Sequence, residues 1–404
     1  MNYKACKVGM ALIAIIFSAC DDREISRESE ENSVMQISVS AERYWGESVE
    51  VRSEDPFYVA PDASLAAYTV EFNENSSIFV SQITETVNPY MSDDAIYRYK
   101  FSETTGTNWA NGFNFEPYDD DNAIEWSGIQ NMGSFKNGYG LYAMYYNDFG
   151  ENEEFRYSVE EDQSNIENLR RSDVMGAFHS TLSLYTRLRF RLFHLMTYLR
   201  VRLYVPEWGG VENNTGYPWT SYESATIMDA TNEFSINWAE KRSSDSEGPQ
   251  LKKPDKANFT PKNIKMYLSS DIQNDEVKEI KYTDFIPQGF VDQEIKDENG
   301  NPTEFDKVKV YDFHAVIPLQ DKDFTSGNFL KFTFLNPVTL VPKNYYFSAG
   351  QNGTTDNSTL NLEQGNFQYL ELYLPRKGDQ AIFIKATVNP WTGAKSEMVL
   401  NPKE

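Results

Sequence analysis

The residue best placed to do chemistry is Cys20. It follows Phe17-Ser18-Ala19, an apolar run from Val8 to Phe17, and the cations Lys4 and Lys7. A charged start, a hydrophobic stretch and a small-residue exit read as an export signal over residues 1–20. A cysteine directly after the small residues can be alkylated by a lipid on its thiolate, and the amino terminus freed by cleavage can then be acylated. Several chains on one residue suit stable anchoring, because a single acyl chain holds weakly. Lipidation at Cys20 is therefore expected; an ordinary secretory signal with an incidental cysteine is the alternative. The apolar run falls short of the roughly 20 residues that a membrane-spanning helix needs.

Other chemistry finds little support. The 3 histidines, His179, His194 and His314, stand in no spacing that metals or nucleophilic triads favour. The signatures HExxH, GxSxG and GxxxxGK[ST] do not occur. His194 reads as a packed structural residue. Tyr118-Asp119-Asp120-Asp121-Asn122 could offer oxygens to calcium but lacks the glycine and the distant glutamate of the best-known loop, so a polar turn is expected. Paired carboxylates for glycoside hydrolysis must sit roughly 5 to 10 Å apart, which a chain with 61 acidic residues neither shows nor excludes. No catalytic residue, metal or cofactor is expected.

Aromatic residues make up 14% of the chain. Tyr44-Trp45, Trp208, Tyr217-Pro218-Trp219 and Tyr345-Tyr346-Phe347 could stack on sugar rings, and equally could fill a core without disulfides. A surface glycan-binding lipoprotein is thus the rival reading. Of the 2 cysteines, Cys6 lies inside the signal, so no disulfide is left to the mature chain. Stability must come from burial, and 404 residues allow two ordinary domains. A formal charge of −24 would repel phosphate backbones, which makes nucleic acid an unfavourable partner.

The elements that would position such residues are strands. Residues 21–33 are almost without apolar side chains and read as a flexible acidic tether, or as a surface-export signal behind a lipidated cysteine. Ordered sequence begins at Val34-Met35-Gln36-Ile37-Ser38-Val39-Ser40. Alternation is clear at Leu188/Phe190/Leu192 against Arg187/Arg189/Arg191, and at Leu199/Val201/Leu203/Val205 against Arg200/Arg202/Tyr204. It predicts one buried and one wet face. The pattern returns at Ile264/Met266/Leu268, Phe332/Phe334, Leu370/Leu372/Leu374 and Ile382/Ile384/Ala386/Val388. One short helix is expected from the capping signal Ser164-Asn165-Ile166-Glu167. Pro206, Gly209, Gly210 and Asn213-Asn214-Thr215-Gly216 interrupt the pattern, so the expected all-β fold has antiparallel sandwiches over 34–205 and 206–404.

Within 139–205 the sequence becomes more specific. Tyr139-Gly140-Leu141-Tyr142-Ala143-Met144-Tyr145-Tyr146, Phe155-Arg156-Tyr157-Ser158-Val159, Asp162-Gln163-Ser164, Ser172-Asp173-Val174-Met175-Gly176-Ala177 and Phe190-Arg191-Leu192-Phe193-His194 running into Tyr198-Leu199-Arg200-Val201-Arg202-Leu203 occur in this order. They resemble the fimbrillin family of Bacteroides-type bacteria, and Val388-Asn389-Pro390-Trp391 is similar to its closing strand. The dense arginines at 187, 189 and 191 depart from that family's pattern.

The resemblance implies two transthyretin-like sandwiches in tandem and a pilus subunit of the cell surface. The lipidated precursor would reach the outer membrane and lose its first strand to a protease cutting after arginine. A strand of another subunit would then fill the groove by main-chain pairing. On this sequence the removable strand would hold Val34, Ile37 and Val39, with Arg52 or Arg43 as the cut site. Partners would be other pilus subunits and the outer membrane, with host or bacterial surface ligands as further candidates. The tail 395–402 has only Met398-Val399-Leu400 as an apolar run, so shaft, tip and base positions all stay open.

Overall fold

The computed structural model describes residues 36–41, 77–83, 96–104, 113–123, 139–145, 157–181, 187–206, 221–237, 250–251, 260–269, 277–281, 299, 301–320, 327–335, 341–348, 360, 362–374, 379–390 and 398–400. The chain is all-β, as the alternation requires. Helical structure among the described residues is limited to the Asp120–Asn122 turn and the helix Ile166–Arg171. That helix begins one residue later than the capping signal suggests. Asn165 is the cap, its Oδ1 accepting from the Asn168 amide at 2.8 Å, while the Ser164 hydroxyl is drawn to Asp162.

The first half differs from the sandwich expected of it. Its strands pair in a closed ring in the order Gln36–Ala41, Phe113–Pro117, Ile96–Thr104, Ser77–Ile83, Tyr139–Tyr145, Met175–Thr181 and Arg187–His194. The ring closes because Gln36–Ala41 finds a partner on each side, which leaves no free edge. Ile78, Val80, Tyr99, Phe115, Phe190 and Leu192 are buried residues of these strands.

The second half is a sandwich of two sheets. One runs Lys262–Lys265, Ser221–Ala230, Leu330–Leu335, Pro342–Phe347. In the other, Tyr267–Leu268 and Val277–Lys281 both flank Phe305–Ile317, and Thr197–Pro206, Asn366–Tyr373, Ile382–Pro390 and Met398–Leu400 follow in order. Leu199, Val201, Leu203, Phe313, Leu370 and Leu372 of the large sheet share a core with Ala225, Ile227, Phe332, Phe334 and Tyr345 of the small one. Aromatic rings interlock across the layers, with centroids 5.6 Å apart for Phe313 and Phe332 and 5.7 Å for Tyr311 and Phe334.

Thr197–Pro206 was expected to end the first half, yet it is a central strand of the second, antiparallel to Phe305–Ile317 and parallel to Asn366–Tyr373. The chain changes sheet at Leu195-Met196, before the interruption near 206. The same strand was expected to be wet on one face, yet all of its residues are buried. Being central, it has neighbours on both edges, and its polar face is satisfied by charges on those neighbours.

Candidate functional site

The strand that closes the barrel is the first structural candidate for function. Gln36–Ala41 runs antiparallel to Phe113–Pro117, through Ile37↔Phe115, Ser38↔Asn114 and Val39↔Phe113. On its other side it runs parallel to Arg187–His194, from Gln36↔Arg187 to Ala41↔Leu192. Parallel pairing requires a long connection, and more than a hundred residues separate these partners. A short strand from one end of the chain thus fills a slot between two strands that belong elsewhere. Ile37 and Val39 lie in it. Cys20, Val34, Arg43 and Arg52 fall outside the described residues, as do Tyr44, Trp45, Trp208, Tyr217 and Trp219.

One wall of the slot is fastened to the second half. Arg187–His194 passes through Leu195-Met196 straight into Thr197–Pro206, and the turn is pinned at several points. His194 Nδ1 and Asp173 Oδ1 are 2.9 Å apart and buried. The Leu195 amide donates to the Val174 carbonyl at 2.9 Å, and the Gly365 amide to the Met196 carbonyl at 3.1 Å. Gly365 has φ +72, and an added Cβ would stand 3.3 Å from the His194 carbonyl oxygen, so both conformation and space call for glycine. His194 is the packed structural residue expected.

The Asp162-Gln163-Ser164 motif joins the two sheets of the sandwich. The Glu161 carbonyl accepts from the Lys265 amide at 2.8 Å and the Gln163 amide donates to the Lys265 carbonyl at 3.1 Å, which seals one edge of the small sheet. The buried Gln163 side chain then reaches the large sheet. Its Nε2 donates to the Val316 carbonyl at 2.7 Å and its Oε1 accepts from the Val316 amide at 2.8 Å. One side-chain amide thus replaces a missing neighbour strand for one residue. Asp162 steadies the turn: its Oδ1 accepts from the Ser164 hydroxyl and amide at 2.5 and 3.1 Å, which holds its carboxyl below the usual range.

On the large sheet Arg200, Arg202 and Asp312 form a buried ion triad. Arg202 Nε and Nη2 donate to Asp312 Oδ1 and Oδ2 at 2.8 and 2.6 Å, and Arg200 Nη2 donates to Oδ2 at 2.5 Å. Burial would raise the Asp312 pKa, but the Arg202 hydrogen bonds and the charges of Arg200 and Arg202 outweigh it and hold the carboxyl far below its usual range. Glu371 is the register partner of Arg202 on the opposite strand. Tyr198 Oη lies 2.9 Å from His314 Nδ1. Asp312 binds both buried guanidinium groups, with the buried Glu371 beside Arg202 on the neighbouring strand, which suits a structural lock.

Sequence reasoning missed Asp312 and the reach of Gln163. Asp312 had a signal: it is the one acid of the run Val308 to Ile317, between the apolar Tyr311 and Phe313, as Arg200 and Arg202 alternate with apolar residues in theirs. Asp119, Asp120 and Asp121 are exposed around the short turn, with Tyr118 lying under the Arg98 guanidinium at 4.1 Å. No group of three metal-ligating side chains gathers among the described residues.

No protein-family model and no curated protein matches the chain. Among solved structures it is similar to a proposed cell adhesion protein from Bacteroides uniformis, at 10% identity over 90% of this chain and 100% of that one, TM-score 0.44. A fimbrial assembly protein from Parabacteroides distasonis is similar at 7% identity over 91% and 99%, TM-score 0.36. The fimbrial anchor protein Mfa2 from Porphyromonas gingivalis is similar at 9% identity over 92% and 100%, TM-score 0.32. These neighbours are named as fimbrial and cell-adhesion proteins.

Proposed function

We propose that this chain is a structural or adhesive subunit of a cell-surface pilus, exported as a lipoprotein precursor anchored at Cys20 and assembled by strand exchange. The observation that carries the reading is the placement of Gln36–Ala41. This first described strand alone bridges Phe113–Pro117 and Arg187–His194. Removing it would leave two facing rows of main-chain donors and acceptors, and a strand from another subunit restores those bonds. Arg43 and Arg52 lie between this strand and the next, Ser77–Ile83, so a cut at either would free the strand from the rest of the barrel. The subunit would sit at the outer membrane or in the fimbrium and needs no catalytic group or cofactor of its own.

The test is to treat the purified, non-lipidated chain with an arginine-specific protease and follow fragment masses and polymer formation together. A single cut after Arg52 or Arg43, followed by oligomers that resist mild detergent, is the expected outcome. A chain that is cut and stays monomeric while keeping its first strand would overturn strand exchange.

A further inference from the structure

The slot has a charge that its present occupant does not match. The strand Arg187–His194 carries Arg187, Arg189 and Arg191 at alternate positions, with the buried Phe190 and Leu192 between and beyond the last two. Three arginines within five residues stand out in a chain with 37 basic against 61 acidic residues. Their register partners in the first strand are Gln36, Ser38 and Ser40, all uncharged. The other wall places Asn114 opposite Ser38, and its one acid, the exposed Glu116 two residues on, is paired with Lys100 at 3.5 Å. The apolar positions, by contrast, are complementary: Ile37 pairs with Leu188 and Phe115, and Val39 with Phe190 and Phe113. The resident strand therefore brings apolar residues to the apolar register positions and no acid to those of the three arginines.

Opposite charges at directly paired positions stabilise a sheet, and several such pairs add. Building on the strand-exchange reading, we infer that the strand this slot takes from a second subunit alternates apolar residues with Asp or Glu. The acids would lie in register with Arg187, Arg189 and Arg191. Such a donor runs parallel to Arg187–His194 and antiparallel to Phe113–Pro117, as the resident strand does. It replaces a neutral ladder with three ion pairs and gives exchange a direction, because the incoming strand is held better than the one it displaces.

The test uses the full chain with its first strand in place. Gln36→Glu/Ser38→Glu/Ser40→Glu is compared with Gln36→Lys/Ser38→Lys/Ser40→Lys, which alters size and strand propensity similarly but reverses the charge. The acidic triple variant should melt about 3 °C higher than the parent at low salt and the basic one lower, with the spread collapsing at about 1 M NaCl. Placing both triples on an Arg187→Gln/Arg189→Gln/Arg191→Gln background should remove the difference at low salt as well. Equal melting of the acidic and basic variants, or a spread unaffected by the arginine substitutions, overturns the inference. A second arm separates it from the function beneath it: the protease-cut chain is offered a synthetic peptide of the first strand, neutral or with the three glutamates. Incorporation of both with about tenfold preference for the acidic peptide supports the donor assignment. Incorporation without preference overturns the assignment and leaves strand exchange standing; incorporation of neither overturns strand exchange.

Discussion

At the scale of single residues, Asp312 is the side chain on which most depends. It holds two guanidinium groups in the interior, and its removal would deprive both buried cations of the carboxylate that binds them. Breaking a buried ion pair from one side costs about 3–5 kcal/mol, so Asp312→Asn is expected to lower the stability of the second half by that order, read by chemical denaturation at neutral pH. The pH dependence has a definite sign. The folded carboxyl titrates far below its unfolded range, so its contribution is complete above the ordinary carboxylate pKa of about 4 and declines as the pH falls below it. The gap between parent and Asp312→Asn should therefore narrow steadily from pH 5 toward pH 2. A gap that widens in acid would show that Asp312 is protonated in the folded state. The triad also marks where reading a sequence reaches its limit. Period two assigned Arg200 and Arg202 to one face of a strand correctly, but whether that face is wet depends on Asp312, more than a hundred residues away. Nothing local distinguishes a solvated arginine row from a neutralised one.

At the scale of elements, the segment from Tyr157 to Val174 is a bracket. It pairs with Glu233–Phe234, extends the small sheet at Lys265 and places Gln163 against Val316 of the large sheet. Gln163→Leu keeps the volume but strands the Val316 amide and carbonyl in a buried position. An unmet buried polar group costs roughly 1–3 kcal/mol, so a loss of about 2–4 kcal/mol is expected, with faster hydrogen exchange at the Val316 amide. Gln163→Glu should behave similarly, because a carboxylate can accept from the amide but faces the carbonyl with a like partial charge. If Val316 stays protected in both variants, the bracket is held by its backbone pairs alone. The sequence announced this element through its capping signal and through the order of motifs, and the helix is there. What the motif does was not legible, because its partner lies in a strand 153 residues further on. The closure of the barrel was hidden for the same reason: alternation identifies Gln36–Ala41 as a strand but not which two strands it lies between.

At the scale of the whole molecule, the two halves differ in how their edges are protected. In the sandwich, the small sheet is sealed at Lys265 by the bracket and at Tyr346 by backbone bonds to Asp379 and Ala381. Among the described residues the barrel shows no such added seals, and its ring is complete through Gln36–Ala41. Loss of that strand should therefore act locally. In the chain cut after Arg52 or Arg43 and stripped of its first strand, hydrogen exchange is expected to rise sharply across Phe113–Pro117 and Arg187–His194. It should stay slow across Leu199–Val205 and Phe313–Val316, whose bonds run to neighbours within the sandwich. The pinned turn at Leu195-Met196 is the boundary at which the effect should stop, because Asp173, Val174 and Gly365 hold it from the sandwich side. Gly365→Val, which strains a positive φ and crowds the His194 carbonyl, should let the exchange spread past that boundary into Thr197–Pro206. Uniform loss of protection in the unmutated cut chain would mean that the barrel and the sandwich unfold as one unit. A subunit built that way could not survive an emptied slot long enough to meet its partner.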